Sequence, residues 1–280
     1  TGLPIPVVQD KLLARREMET NLRMALERGE LDIHYQPIID VQSSRVIGCE
    51  ALLRWTHPQK GAISPAEFIP LAEATGQIAA LTEYVLNRAC TAATKWPWEI
   101  VLSVNISPVL LKHADFSANL LSVLYKSGLP AHRLELEITE TALVEDSRQA
   151  NFMLREFQRL GLRLALDDFG TGFSSLSYLL TYSFDRIKID RSFVADIGKS
   201  RQASAIILSI VNLARTLGIE PVAEGVETED QLDYVKHVGC ANVQGYYFAK
   251  PMPETDMLAF IETHRLGVDA TEGKAKLARG

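Results

Sequence analysis

From Leu31 onward, short apolar runs of strand length alternate with longer stretches in which apolar positions recur at helical spacing. The runs predict strands over 32–37, 45–54, 99–105, 133–138, 162–166, 185–189, 219–223 and 241–244. The longer stretches predict helices over 65–75, 78–95, 116–127, 147–159, 174–180, 201–217, 228–237 and 254–264. Ser64-Pro65 places a cap residue before an N1 proline. Gly76, Gly128, Gly161, Gly218 and Gly239 each follow a helical pattern, where a left-handed C-terminal cap is expected. Residues 1–29 read as a leader and a charged linker helix, because Lys11 to Arg28 is rich in the helix formers Glu, Arg, Leu and Met. Residues 266–280 read as a polar, frayed tail, which leaves residues 30–265 for the folded domain.

Eight strands alternating with helices predict a closed α/β barrel. The alternative, an open doubly wound sheet, calls for a Gly-rich phosphate loop after the first strand, and the sequence has none there. The first two strands are joined only by Asp40 to Arg45, a link short enough to predict an antiparallel pair.

In such barrels chemistry sits at the C-terminal ends of the strands. The residues there are Glu50, Asn105, Glu137, Asp167 with Asp168, Lys188, Glu224 and Gln244, each polar where packing would favour Val or Ile. Asp167 and Asp168 end the run Leu164-Ala165-Leu166, and two adjacent carboxylates are costly to desolvate unless a cation lies between them. A pair of divalent ions answers this, one carboxylate bridging and the other bound to the second ion. Glu50, Asn105, Glu137, Asp167, Asp168 and Glu224 offer only oxygen donors, a set suited to Mg²⁺, Mn²⁺ or Ca²⁺ rather than to structural zinc. Lys188 stands apart as a cation that could orient a water or stabilise charge on a phosphate. With period 2, Arg54 shares a face with Glu50 near the strand mouth, where a guanidinium suits a phosphate oxygen.

Each of these residues also has a plain structural reading. Asp167-Asp168 would cap the helix at 174–180, and Glu224 and Glu227 would complement a helix dipole. Glu137 and Glu140 would be surface charges, Lys188 would pair with Asp190, and Arg54 would pair with a nearby carboxylate. The joint case for chemistry is stronger, because all the plain readings would have to hold together at matching strand ends. Asp168-Phe169-Gly170 is not read as a kinase metal motif, since the kinase glycine loop and catalytic loop are missing from the sequence.

Length, composition and charge narrow the function further. The 280 residues are 47% hydrophobic and 23% charged, an ordinary globular balance. The net charge of −6 disfavours binding to a nucleic-acid polymer, which needs a basic face. Cys49, Cys90 and Cys240 are odd in number and far apart, and read as reduced, buried thiols of a cytoplasmic protein. No apolar run reaches the roughly 18 residues of a membrane span, so no membrane contact is expected within this chain. The six histidines are scattered and are assigned to surface or core.

Glu50-Ala51-Leu52, followed by Leu53-Arg54-Trp55, resembles the signature of the EAL domain family. The resemblance extends over residues 20–264 through Tyr35-Gln36-Pro37-Ile38, Phe68-Ile69-Pro70-Leu71-Ala72-Glu73, Val104-Asn105-Ile106-Ser107 and Glu135 to Glu140. It continues through Asp167 to Ser175, Ile187 to Phe193, Ala223 to Glu227, Gln244-Gly245-Tyr246 and Pro251. The one departure is Ser183-Phe184 before Asp185, where many members carry Leu-Pro. The family implies a TIM-like (β/α)8 barrel, modified by an antiparallel first strand. It implies a phosphodiesterase that hydrolyses cyclic di-GMP to linear pGpG with two divalent ions, Mg²⁺ or Mn²⁺, Ca²⁺ being inhibitory, and so lowers the level of a bacterial second messenger.

Carried onto this sequence, the resemblance has Glu50, Asn105, Glu137 and Asp167 bind one ion. Asp167 would bridge to a second, held also by Asp168 and Glu224. Glu50, Lys188 and Glu224 would be catalytic, Lys188 through the attacking water. Gln36, Arg54 and Gln244 would contact substrate or support the site. Glu140 would brace the loop 168–175 with Gly170, Thr171 and Gly172, linking metal binding to dimerisation. A homodimer is implied, as is an upstream regulatory domain, any membrane anchor of a longer protein lying upstream as well. The competing readings are a catalytically silent cyclic di-GMP receptor, which predicts a missing ligand or a broken loop, and another metal-dependent barrel hydrolase or lyase.

Overall fold

The turn after Asp40 folds the chain back on itself: the Asp40 carboxylate accepts the Ser43 backbone N–H at 2.7 Å, and Ser44 adopts a left-handed backbone (φ 56°). On either side run β1 (Leu31–Asp40) and β2 (Val46–His57), paired antiparallel with Gln36 opposite Glu50. The computed structural model describes residues 5–97, 99–140, 142, 147–171 and 176–265. β2 continues past the predicted end at residue 54 to pair with the short β3 (Gly61–Ile63), which the sequence pattern did not announce because three residues show no alternation.

The chain then winds through α2 (Pro65–Ala74), α3 (Ile78–Ala93), β4 (Val101–Asn105), α4 (Phe116–Ser127), β5 (Leu134–Thr139), α5 (Ser147–Arg159) and β6 (Arg163–Phe169). It closes with α6 (Leu176–Thr181), β7 (Arg186–Ile189), α7 (Arg191–Ala195), α8 (Arg201–Leu217), β8 (Glu220–Ala223), α9 (Glu229–His237), β9 (Asn242–Val243) and α10 (Glu254–His264). Neighbouring strands from β2 through β4 to β9 are parallel; β1 is antiparallel to both β2 and β9 and closes the ring. The expected (β/α)8 barrel with a reversed first strand is therefore the fold.

Every predicted helix is present, with ends shifted by a residue or two, although positions 174 and 175 lie outside the described residues. The five predicted capping glycines carry positive φ, Gly218 at 72° for example. Ser64 precedes Pro65 as expected, but its side chain makes no capping bond; its carbonyl accepts the Glu67 and Phe68 N–H groups instead. The five-residue α7 is too short to show a helical period, and it forms because the Asp190 carboxylate accepts the Ser192 N–H at 3.0 Å. A further helix, α1 (Ile5–Arg28), precedes the barrel; Met18, Leu22 and Ala25 are buried, while residues 13–17 are exposed. Among the described residues no helix is long and apolar enough to cross a membrane. Cys49, Cys90 and Cys240 are free and buried.

The outer faces of the strands supply most of the apolar core, with Leu102, Leu164 and Ile187 packed beneath helix residues such as Phe157 and Val211. The barrel interior is polar. Ser103 and Asn105, Glu135 and Glu137, and Arg186 and Lys188 are each two apart on a strand and so point inward in two layers. In the deeper layer Glu135 accepts from Ser103 Oγ at 2.7 Å and from Arg186 Nη1 at 3.1 Å. This layer is a buried, charge-balanced floor beneath the mouth.

Candidate functional site at the barrel mouth

Lys188 is 2% exposed, yet a four-carbon stem carries its ammonium group up from β7 into the mouth. Its Nζ lies 2.7 Å from Glu137 Oε2 and 2.7 Å from Glu224 Oε1, with Glu50 Oε2 at 3.4 Å and Asp167 Oδ1 at 3.7 Å. Four strands, β2, β5, β6 and β8 or its end, thus deliver one carboxylate each to a single cation. The alternative pairing of Lys188 with Asp190 is not made; Asp190 caps α7. Burial alone would push the Lys188 pKa down, but Asp167, Glu137, Glu224 and Glu50 outweigh it and hold the group well above its ordinary range.

Glu50 is the organising carboxylate. Asn105 Nδ2 donates to its Oε1 at 2.6 Å and Gln244 Nε2 to its Oε2 at 2.7 Å. Burial opposes ionisation of Glu50, but Lys188 and these amide donors keep it below the usual carboxylate range. The Gln244 amide also donates to Gln36 Oε1 at 3.1 Å, and Gln36 Nε2 donates to the Ala249 carbonyl at 3.2 Å. Gln36 and Gln244 therefore form a brace from β1 to the segment after β9, with Glu50 at its inner end.

Adjacent strand residues ordinarily face opposite sides of a sheet. At Asp167 and Asp168 the register of β6 against β7 shifts, and Asp168 takes a left-handed backbone (φ 54°). That irregularity brings both carboxylates to the same place: Asp167, Asp168 and Glu224 each offer an oxygen within 4.8 Å of the others, as a metal site requires. α6 is described only from Leu176, so the reading of the pair as its cap falls on residues outside those described. Crowding shows in the proton affinities. Burial, followed by the charges of Asp167 and Asp190, pushes Asp168 up to about 6. Burial, with Asp167 and Glu50, pushes Glu224 up to about 8 against the pull of Lys188. Burial and the Glu50 charge drive Glu137 well above its ordinary value.

Five carboxylates thus face one ammonium group. Glu137 Oε1 and Gln244 Oε1 are buried with no hydrogen-bond partner among the described residues. An all-oxygen donor set, an excess of negative charge and open acceptor positions suit a hard divalent cation.

Glu140 is buried rather than a surface charge, and its Oε2 accepts the Gly170 N–H at 3.4 Å. Thr171 Oγ1 returns a hydrogen bond to the Asp168 carbonyl at 2.8 Å. Gly172 lies outside the described residues. Glu227 is exposed and stands apart from Glu224, its N–H donating to Gln231 at the start of α9. Arg54 is half-buried at the rim, where its Nη1 donates to the Leu53 carbonyl at 3.2 Å. No ion pair of Arg54 is seen among the described residues. Glu135 and Arg186 are not among the residues predicted at the strand ends, although each stands two residues before an inward site residue, and α7 is not among the predicted helices.

The model of the EAL domain family matches residues 19–251. The protein y4lL of Sinorhizobium fredii is 44% identical over 95% of this chain, which spans 32% of y4lL. The bifunctional diguanylate cyclase/cyclic di-GMP phosphodiesterase MucR of Pseudomonas aeruginosa is 40% identical over 86% of this chain, which spans 36% of MucR. The matched part of this chain thus spans about a third of the length of either relative. The solved structure of the PaMucR phosphodiesterase in complex with c-di-GMP matches 86% of this chain and 100% of its own, at 38% identity and a TM-score of 0.83. With the barrel, the signature Glu50-Ala51-Leu52 and the acidic mouth in place, the chain belongs to the EAL domain family.

Proposed function

We propose that this chain is a metal-dependent phosphodiesterase that hydrolyses cyclic di-GMP to linear pGpG. The observation that carries the reading is the convergence of Glu50, Glu137, Asp167 and Glu224 within 4 Å of one buried lysine. The name of MucR and the c-di-GMP complex of PaMucR support the choice of substrate.

Glu50, Asn105, Glu137 and Asp167 would hold one divalent ion, Mg²⁺ or Mn²⁺, and Asp167, Asp168 and Glu224 a second. Such a pair supplies Lewis-acid activation of water and neutralises the charge that develops on a phosphodiester. The chain's own groups do the rest. Lys188, fixed between Glu137 and Glu224, offers its ammonium protons to the attacking water and to charge on phosphorus-bound oxygen. Glu224, which shares the Lys188 ammonium with Glu137, is the carboxylate we assign to take the water's proton. Arg54 at the rim meets a phosphate oxygen with its planar fork. Gln36 and Gln244 hold Glu50 in position, and Glu140 holds the loop after Asp168 through Gly170. Homodimerisation through that loop and control by an upstream regulatory domain belong to the same proposal, as does a cytoplasmic location; the greater length of y4lL and MucR supports the second.

The test is turnover of cyclic di-GMP by the purified chain in Mg²⁺ or Mn²⁺, with products separated by chromatography, beside Glu50→Ala. The expected result is pGpG from the wild type only, abolished by chelator. Tight nucleotide binding without product would make the chain a receptor. Turnover of simple phosphodiesters without cyclic di-GMP hydrolysis would make it a different barrel hydrolase.

A further inference from the structure

The Ile187 to Phe193 segment supplies more than Lys188. Helix α7 starts three residues beyond that lysine, and it touches both acidic turns of the mouth at glycines. A Cβ on Gly170 would lie 3.1 Å from Phe193 Cε2 and 3.4 Å from its Cζ; Gly170 has φ +97° and follows Asp168 by two residues. A Cβ on Gly225 would lie 2.6 Å from Arg191 Cβ and 3.4 Å from its Cα; Gly225 has φ +67° and directly follows Glu224. The Glu224 N–H donates to the Ile189 carbonyl at 3.1 Å, which ties the same turn to the strand that feeds α7. Val194 is fully buried and anchors the helix in the core, and the Asp190 cap fixes its first turn.

The Gly225 contact is closer than a side chain on that glycine would permit, and the Gly170 contact is tight enough that a side chain there would press on the Phe193 ring, so α7 limits how the two turns approach. We propose that α7 is a wedge that sets the spacing of the second cation site: the Phe193 ring against Gly170 and the Arg191 stem against Gly225 fix the Asp167–Asp168 turn relative to Glu224. This rests on the reading that Asp167, Asp168 and Glu224 bind an ion. Phe193 and Arg191 are positioning residues. The contact of Arg191 is made by Cβ, so its guanidinium is dispensable for this role, although Asp168 also feels that charge.

The experiment is calorimetric titration of Mn²⁺, without nucleotide, into wild type, Arg191→Ala, Gly225→Ala and the double variant Arg191→Gly/Gly225→Ala. Wild type binds two ions. Arg191→Ala keeps Cβ and binds both as wild type does. Gly225→Ala weakens one ion by about 10- to 100-fold, the usual effect of disturbing groups that support metal ligands, and leaves the other unchanged. The double variant removes the opposing Cβ and recovers most of that loss. The proposal is overturned if Gly225→Ala binds both ions normally, if Arg191→Ala reproduces the loss, or if the double variant recovers nothing. Should Gly225→Ala fail to fold in chelator, Phe193→Ala against Phe193→Leu decides by the same titration, with only the alanine variant expected to lose the one ion. A wild type that binds a single ion overturns the two-cation reading, and the wedge with it.

Discussion

Replacing Lys188 by Met keeps most of the side-chain volume and removes the charge that four carboxylates share. The magnitude follows from burial. Lys188 is 2% exposed and its partners Glu137 and Glu224, both at 2.7 Å, are 0% and 18% exposed. Removing one member of a buried ion pair costs about 3–5 kcal/mol, because the remaining charges stay desolvated without a counter-ion. In a barrel of this size that corresponds to a fall in melting temperature of roughly 6–20 °C. The assay is thermal and urea unfolding in excess chelator, with Lys60→Met as the control. Lys60 pairs with Glu17 at the surface, both side chains exposed, so its loss is expected to be within about 0.5 kcal/mol. Saturating Mn²⁺ is expected to close most of the gap, since a divalent ion serves the same carboxylates. Lowering the pH toward 5 is expected to shrink it as well, because the carboxylates left without Lys188 then take up protons in the folded state. A Lys188→Met protein as stable in chelator as Lys60→Met would refute the view that these carboxylates are held together by one ammonium group.

Two further predictions concern the same mouth. Asp168 is pushed up to about 6 and Glu224 to about 8, whereas free carboxylates titrate near 4. The folded, metal-free protein therefore keeps protons that the unfolded chain has released, so its stability falls as pH rises from about 4.5 to 8 while its Mn²⁺ affinity climbs; unfolding midpoints and Mn²⁺ titrations at pH 6, 7 and 8 check both signs, and flat profiles contradict them. Gly245→Ala puts a Cβ 2.1 Å from the Val226 carbonyl oxygen and 2.3 Å from its nitrogen. It is expected to destabilise by about 3 kcal/mol and to displace Gln244 from Glu50, against about 1 kcal/mol for Gly61→Ala, where φ is +72° and no atom lies within 4 Å; a Gly245→Ala loss no larger than that of Gly61→Ala in urea unfolding would show that the segment shifts freely to make room for the methyl group.

Much of this molecule is legible in its sequence because strand and helix periods are local. Alternation places Glu50, Asn105, Glu137 and Lys188 on inward faces near strand ends, and the length of the Asp40–Arg45 link decides the direction of the first strand. Those facts need only neighbours two to six residues apart. What they leave open is which inward groups meet across the barrel. Lys188 turns to Glu137, 51 residues away, and to Glu224, not to Asp190 beside it. That choice depends on strand register and closure, which no short window contains. The same holds for Asp167 and Asp168, which simple alternation would send to opposite faces and which the shifted register and left-handed Asp168 bring together. The Glu135–Arg186 floor and the α7 contacts at Gly170 and Gly225 were hidden for a related reason. A buried ion pair and a glycine pressed by a neighbour are both defined by what lies opposite them in space, and only the closed barrel supplies that neighbour.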